Sequence, residues 1–305
     1  MPGFRSILVD VDAAAAVHPA MDQAVALARA CGARLKVVDV LNLPAHARRD
    51  LPQGAEEGLI SAQRDRLAQL ARTAPDVPMQ TEILHGRPAT ALIREVLRSG
   101  HDLLIRAHAR DAAVPRPRYG AIDMELFRQC PCPVWAAWAG SRTRPQRLLV
   151  AVNAAAEEVE EQALNRKIVE IALAIAPESA SVVLLQAWTA FAEEILRSHS
   201  TAEQLAAYVE AAERRARGAL DNLTATLPRG TARFRVEMLK GHPEEVIPQF
   251  VVSEGIDLVV MGTVARTGIA GLLIGNTAER LLQRLITSVL AVKPDGFVSP
   301  VRAEP

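Results

Sequence analysis

Short runs of apolar residues alternate along the chain with longer stretches in which apolar residues recur at helical spacing. Residues 5–11 form a strand-like run, and residues 20–31 carry apolar positions at helical spacing. Further strands are predicted near 35–40, 79–84, 102–107 and 133–138, and further helices near 55–72, 88–98 and 121–129. Apolar strands between amphipathic helices are typical of a parallel sheet that is covered on both faces. The first half of the chain therefore predicts an α/β fold with a doubly wound, five-stranded parallel sheet.

The same pattern begins again in the second half of the chain. The apolar run 7–12 is echoed by 148–153, and the Gly-x-Pro turn 86–88 is echoed by 241–243. Two later strands match as well, 101–105 with 256–260 and 133–135 with 288–290. Matching segments that follow one another in the same order in both halves indicate an internal duplication of a whole domain. We therefore predict two tandem domains, 1–140 (copy one) and 147–305 (copy two), joined by a polar, proline-containing linker over 141–146.

The composition changes the range of partners that we expect. The chain is 50% hydrophobic and 23% charged, and its 35 basic residues are balanced by 35 acidic ones. A formal net charge of zero leaves no broad basic surface for a phosphate backbone, so we expect no nucleic-acid partner. No apolar run approaches the roughly 18 to 20 residues that span a bilayer, so we expect no membrane partner. The absence of a secretory signal pattern and the odd count of three cysteines favour a cytoplasmic location.

Candidate chemistry lies in a glycine-rich segment of copy two. Gly262, Gly268, Gly271 and Gly275 follow a predicted strand and lead into a predicted helix. Glycines let backbone N–H groups approach a phosphate closely, and a helix start favours an anion. The same residues also fit a flexible turn before a helix whose capping box combines Asn276 with a glutamate three residues later. On the residues alone, both interpretations stay open.

The spacing of these residues resembles the signature of the universal stress protein family. Nucleotide-binding members of that family carry Gly, two residues, Gly, nine residues, Gly and then Ser or Thr. The opening strands, the Gly-x-Pro turns and the closing strands of both copies fit as well, so the resemblance covers nearly the whole chain and indicates a tandem, E-type bacterial member. It implies a Rossmann-like sheet in the order 3-2-1-4-5 in each copy, similar to that of the adenine-nucleotide α-hydrolases, and pairing of the copies as a pseudo-dimer.

The resemblance also implies an ATP site, from which this chain departs at three positions. Ala265 stands where the second glycine is expected, and its methyl group narrows the path of the phosphates. Asn276 replaces the hydroxyl residue, although its amide can still donate a hydrogen bond. Asn153 replaces the acidic residue that follows the first strand. With an adenine nucleotide such as ATP as the expected cofactor, the predicted binding residues are Asn153, Gly262, Ala265, Gly275, Asn276 and Thr277.

Copy one keeps little of this glycine pattern. Its equivalent loop retains only Gly120, at the position that matches Gly275, and Asp12 remains at the end of the first strand. The loop instead carries several arginines, and two interpretations of them stay open. In one, they bind an anion or an acidic partner; in the other, they belong to a solvated segment stiffened by prolines. These arginines are Arg106, Arg110, Arg116 and Arg118.

Two classes of function fit these observations. The sequence has no Gly-x-Ser-x-Gly elbow, Gly-Lys-Ser/Thr phosphate loop or His-Glu-x-x-His pair, so we expect no enzyme and no catalytic residue. Cys130 and Cys132 lack a second ligand pair at metal spacing, so we expect no metal. The favoured class is a non-enzymatic stress-response protein that binds a small ligand, a protein partner or a second copy of the chain. The alternative is an ATP-binding switch with slow hydrolysis in copy two.

Overall fold

The computed structural model describes residues 3–108, 119–138, 140, 142–227, 233–263 and 274–303. Copy one alternates strands and helices from its first strand to its last. In chain order its elements are β1 (Ser6–Asp10), α1 (Pro19–Cys31), β2 (Arg34–Leu41), α2 (Ala45–Asp50), α3 (Ala55–Ala71), β3 (Met79–His85), α4 (Pro88–Ser99), β4 (Leu103–His108), α5 (Ala121–Gln129) and β5 (Val134–Trp138).

Copy two repeats this order with a longer helical insertion. Its elements are β6 (Arg147–Val152), α6 (Val159–Ile175), β7 (Ser181–Trp188), α7 (Glu193–Arg197), α8 (Ala202–Ala225), β8 (Arg233–Lys240), α9 (Pro243–Glu254), β9 (Leu258–Gly262), α10 (Asn276–Leu282) and β10 (Ser288–Val292). The predicted linker over 141–146 falls between β5 and β6, and its role as a domain boundary stays a prediction.

The predicted elements of copy one are confirmed to within a residue or two at their ends. The short helix α2 was not predicted, because its six residues carry three charges and too few apolar positions to show helical spacing. Pro88 and Pro243 both stand at the first position of a helix, where proline's missing N–H costs nothing. The two matched Gly-x-Pro turns therefore start the equivalent helices α4 and α9.

The ten strands form one sheet with the order β3-β2-β1-β4-β5-β10-β9-β6-β7-β8. The order 3-2-1-4-5 is thus confirmed in copy one, and copy two repeats it from the other end of the sheet. Among the described residues, every strand pair is parallel except β5 with β10, which is antiparallel. The closing strands of the two copies therefore cover each other's edges, as the predicted intramolecular pairing requires.

Helices cover both faces of the sheet. Ile7 and Val9 of β1 face the layer of α1, α3, α6 and α8, whereas Leu8 faces the layer of α4, α5, α9 and α10. All three side chains are fully buried. Because β1 and β6 are buried on both sides, their sequences are nearly continuous apolar runs.

Hydrogen bonds across the junction reinforce the pairing of the copies. The Tyr119 hydroxyl donates to the Thr287 carbonyl at 2.5 Å, and the backbone N–H of Trp138 donates to Ser288 Oγ at 2.9 Å. Arg128 also forms an ion pair with Glu279, with 2.5 Å between Nη2 and Oε1. Side chains from both copies thus meet on α5, α10 and the closing strands.

Candidate functional site

A cavity of about 450 Å³ lies at the carboxyl ends of the strands of copy two. Its walls include the end of β6, the end of β9 and residues of β7. The chain winds from β6 to β7 and β8 on one side and places β9 and β10 on the other, so the cavity lies at the topological switch point. Open parallel α/β sheets bind their ligands at this point, because the loops that leave the two central strands diverge there.

Five of the six predicted binding residues line this cavity: Asn153, Gly262, Gly275, Asn276 and Thr277. They come from the end of β6, the end of β9 and the start of α10, which are far apart in the sequence. The sixth, Ala265, lies outside the described residues, as do Gly268 and Gly271. The structure therefore brings the predicted residues together, and their role in binding stays a prediction.

Two buried amide side chains hold the backbone at the rim of the cavity. The Asn165 amide accepts the N–H of Asn153 at 3.1 Å and donates to the carbonyl of Asn153 at 2.8 Å. Gln186 accepts the N–H of Ala154 at 2.6 Å. The backbone turn is therefore held without the side chain of Asn153, which is exposed. Sequence reasoning missed Asn165 and Gln186, although a polar residue inside an apolar strand such as β7 was a usable signal.

Gly262 packs closely against α6. A Cβ atom at this position would lie 2.8 Å from Cδ2 of Leu164 and 3.5 Å from Cδ1 of Ile168, so the Leu164 side chain on α6 would have to shift. Gly275 donates its N–H to the carbonyl of Thr263 at 2.9 Å, which brings the two ends of the glycine-rich segment together. A chain that leaves β9 at Gly262 is thereby returned to the cavity at the start of α10.

The capping box predicted for Asn276 is wrong. Helix α10 begins at Asn276, its N-cap is Gly275, and no side chain caps it. Glu279 points instead to Arg128 of copy one, because an ion pair across the junction competes for the same carboxylate. Asn276 and Thr277 are consequently exposed at the cavity.

The equivalent point of copy one holds an ion-paired triad. Arg106 donates from Nη1 to Asp10 at 2.6 Å and from Nε to Asp123 at 2.8 Å. Asp10 and Asp123 are buried. Burial raises the pKa of Asp10 to about 6, against the opposing effect of the Arg106 guanidinium. Two carboxylates of its own copy thus engage Arg106, and its binding of an anion or an acidic partner stays a prediction.

Strand register shows that the triad and the cavity are equivalent places. Asp10 lies opposite Arg106 across β1 and β4, as Ala151 lies opposite Met261 across β6 and β9. Asp123 and Ala278 both lie three residues after the glycine that precedes α5 or α10. Sequence reasoning missed the triad, although comparing the copies position by position offers the signal. Of the other loop arginines, Arg110, Arg116 and Arg118 lie outside the described residues.

In the described ranges, no group of three or more His, Cys, Asp or Glu side chains could hold a metal ion. None of the helices that the structure describes is both long enough and apolar enough to cross a membrane.

Comparisons with known proteins agree with the duplicated fold. The sequence profile of the universal stress protein family matches residues 3–137 and again 145–293. Universal stress protein E of Escherichia coli K12 is 29% identical over 326 aligned positions, which cover 100% of this chain and 98% of that protein. Its counterpart in Salmonella typhi is also 29% identical and is covered to 99%.

Solved structures show the same fold. A functionally unknown protein from Pseudomonas aeruginosa PAO1 superposes with a TM-score of 0.71 at 24% identity, covering 96% of this chain and 94% of that one. A universal stress protein from Archaeoglobus fulgidus superposes with a TM-score of 0.61 at 14% identity, covering 94% and 98%. The two profile matches and the full-length likeness confirm the resemblance seen in the sequence: the chain belongs to the universal stress protein family, as a tandem, E-type member.

Proposed function

We propose that the chain is a non-enzymatic stress-response protein that binds a small ligand, an adenine nucleotide, in the cavity of copy two. The observation that carries the proposal is the contrast between the copies. Copy two keeps an open cavity at its switch point, lined by five of the six predicted residues, whereas an ion-paired triad stands at the equivalent place in copy one. One nucleotide is therefore expected per chain.

The lining of the cavity suits the two parts of a nucleotide. Apolar side chains, among them Leu164 and Ile168, offer a surface for a base, and such surfaces usually hold the larger part of a ligand. Asn153, Asn276 and Thr277 add amide and hydroxyl groups that can hydrogen-bond the ribose and the phosphates. These residues bind and orient, and the described part of the lining supplies no cationic side chain to a phosphate.

A calorimetric titration of the full chain with ATP and AMP tests the proposal. Gly275→Val should abolish measurable binding, because it places a branched side chain on the buried wall of the cavity. The matched control is Gly120→Val in copy one, where a new Cβ atom would meet no atom of the described residues closer than 3.8 Å. Both glycines have negative φ, so neither substitution strains the backbone.

The outcomes separate the candidate functions. Equal loss of binding from both substitutions would contradict the assignment to copy two. If the parent binds neither nucleotide, mass spectrometry of ligands released from the denatured, freshly purified protein should reveal another small molecule or none. Phosphate release from bound ATP would instead support the ATP-binding switch with slow hydrolysis. Protein partners and a homodimer of whole chains remain part of the proposal, to be tested by the mass of the purified assembly.

A further inference from the structure

Two cysteines lie side by side where the copies meet. Cys130 follows the last residue of α5, and Cys132 precedes β5 by two residues. Their Sγ atoms are 3.6 Å apart, and both thiols are free. A disulfide requires an S–S distance of about 2.05 Å, so side-chain rotation must bring the sulfurs about 1.6 Å closer. The pair is thus near bonding distance without being bonded.

A groove between the copies gives a small molecule access to one of the two thiols. The groove has a volume of about 800 Å³ and is lined by Phe4, Cys132 and Pro133 of copy one and by Arg166 and Lys167 of α6. Cys132 is 7% exposed, whereas Cys130 is fully buried behind it. An oxidant that enters the groove therefore meets Cys132 first.

A buried amine borders the pair from copy two. Lys293 Nζ donates to the carbonyl of Phe127 and to Thr263 Oγ1, the latter at 2.7 Å. Burial lowers the pKa of Lys293 to about 7, and the thiolate form of Cys130 acts in the opposite direction. The hydrogen bond with Cys130 and, after it, burial raise the pKa of the Cys132 thiol well above its usual value. The thiol of Cys132 is therefore protonated at neutral pH.

We propose that Cys130 and Cys132 form a reversible thiol–disulfide site, which small hydroperoxides oxidise through the groove between the copies. Cys132 Sγ attacks a peroxide oxygen, so that an S–O bond forms and the O–O bond breaks; the thiol proton leaves with the departing oxygen as water, and a sulfenic acid results. Cys130 Sγ then attacks Cys132 Sγ, so that the S–S bond forms and the S–O bond breaks with loss of water. Two thiols and one hydrogen peroxide thus give one disulfide and two waters. The two thiols lose two electrons, and the peroxide gains them.

Peptide mapping of the unmodified full chain after treatment with hydrogen peroxide tests the site. Both cysteines lie in one tryptic peptide, 129–142, whereas Cys31 lies in another, 30–34. We expect peptide 129–142 to lose about 2 Da and to resist alkylation under denaturing conditions. A dithiol reductant should restore two alkylatable thiols to this peptide. Cys31 serves as an internal control, because it is half-buried and has no second thiol beside it in the described structure.

Other results would overturn the proposal. These results are the uptake of two alkyl groups by peptide 129–142 at every peroxide dose that modifies Cys31, and a gain of oxygen atoms by this peptide without a disulfide. Variants then sharpen a positive result: Cys31→Ser should leave the loss of about 2 Da unchanged, and Cys132→Ser should eliminate it. Since the decisive mapping uses the unmodified chain, a variant that fails to fold does not weaken the test.

Discussion

The two copies put different chemistry at the same point of the same fold. In copy one the two carboxylates and the guanidinium occupy the switch point and neutralise one another in part. In copy two the equivalent positions are apolar, and all three side chains line the open cavity. The contrasting sets are Asp10, Arg106 and Asp123 in copy one, and Ala151, Met261 and Ala278 in copy two.

Because the fold is duplicated, the side chains at the switch point can differ between the copies while both copies keep the same fold. A buried carboxylate requires a partner, so Asp10, Arg106 and Asp123 are energetically coupled and cannot be replaced one at a time at low cost. Copy two avoids this coupling, because Ala151, Met261 and the backbone around them pack without charge. Copy one thus has fixed polar contacts at the point where copy two has an uncharged cavity wall.

The largest expected effect follows from breaking the triad at its centre. Arg106→Met leaves two buried carboxylates side by side without their cation, which should lower the stability of the chain by about 3 to 5 kcal/mol. The triple variant Asp10→Ala, Arg106→Met, Asp123→Ala copies the side chains of copy two and should lose clearly less. Thermal unfolding of the three proteins measures the difference. A triple variant at least as unstable as the single one would show that the three residues are not coupled.

The reverse exchange should close the cavity of copy two. Ala151→Asp, Met261→Arg and Ala278→Asp together rebuild the triad at the switch point, where it would occupy the space proposed for the base or the ribose. We expect ATP affinity to fall by at least about a hundredfold, which corresponds to about 3 kcal/mol. Calorimetry gives the affinity, and circular dichroism confirms that the variant is folded. Unchanged affinity would place the ligand away from this cavity.

The sequence predicts those parts of the contrast that depend on residues close together in the chain. It does not predict the parts that depend on residues far apart in the chain. The strands were predictable because burial on both faces makes β1 and β6 continuous apolar runs. Gly262 and Gly275 were found because the resemblance fixes their spacing within one segment. The expected order 3-2-1-4-5 already places β1 beside β4, but Arg106 and Asp10 were not paired, because strand order does not fix the register of the two strands. The missing side-chain cap of α10 also has a distant cause. Arg128 of copy one forms an ion pair with the carboxylate of Glu279, which the predicted capping box would have used.

A smaller effect concerns the pH dependence of copy one. The pKa of Asp10 is raised from 3.8 to about 6, so between these values the folded chain binds a proton that the unfolded chain has released. The free energy of unfolding should therefore fall as the pH rises from about 4 to about 6, by up to about 3 kcal/mol from this group. Asp10→Asn should flatten this part of the profile, because the amide does not titrate. Denaturant unfolding of both proteins across this range measures the difference, and parallel profiles would contradict the assignment to Asp10.

The smallest expected effect comes from copy two. It follows from restoring the residues of the nucleotide-binding relatives at the three positions where this chain departs from them. Ala265→Gly removes a methyl group and widens the allowed backbone angles of the loop, and Asn276→Ser restores a hydroxyl at a position that lines the cavity. Asn153→Asp restores the carboxylate at the end of β6 without disturbing the turn, because Asn165 holds the backbone of residue 153 and not its side chain. Together we expect these three changes to raise ATP affinity about tenfold, or about 1.4 kcal/mol, in a calorimetric titration. The matched change Gly120→Ala in copy one should have no effect on affinity. A triple variant that binds ATP no better than the parent would mean that the ligand of copy two is not held by the phosphate contacts of its relatives, and would favour a ligand without a polyphosphate chain.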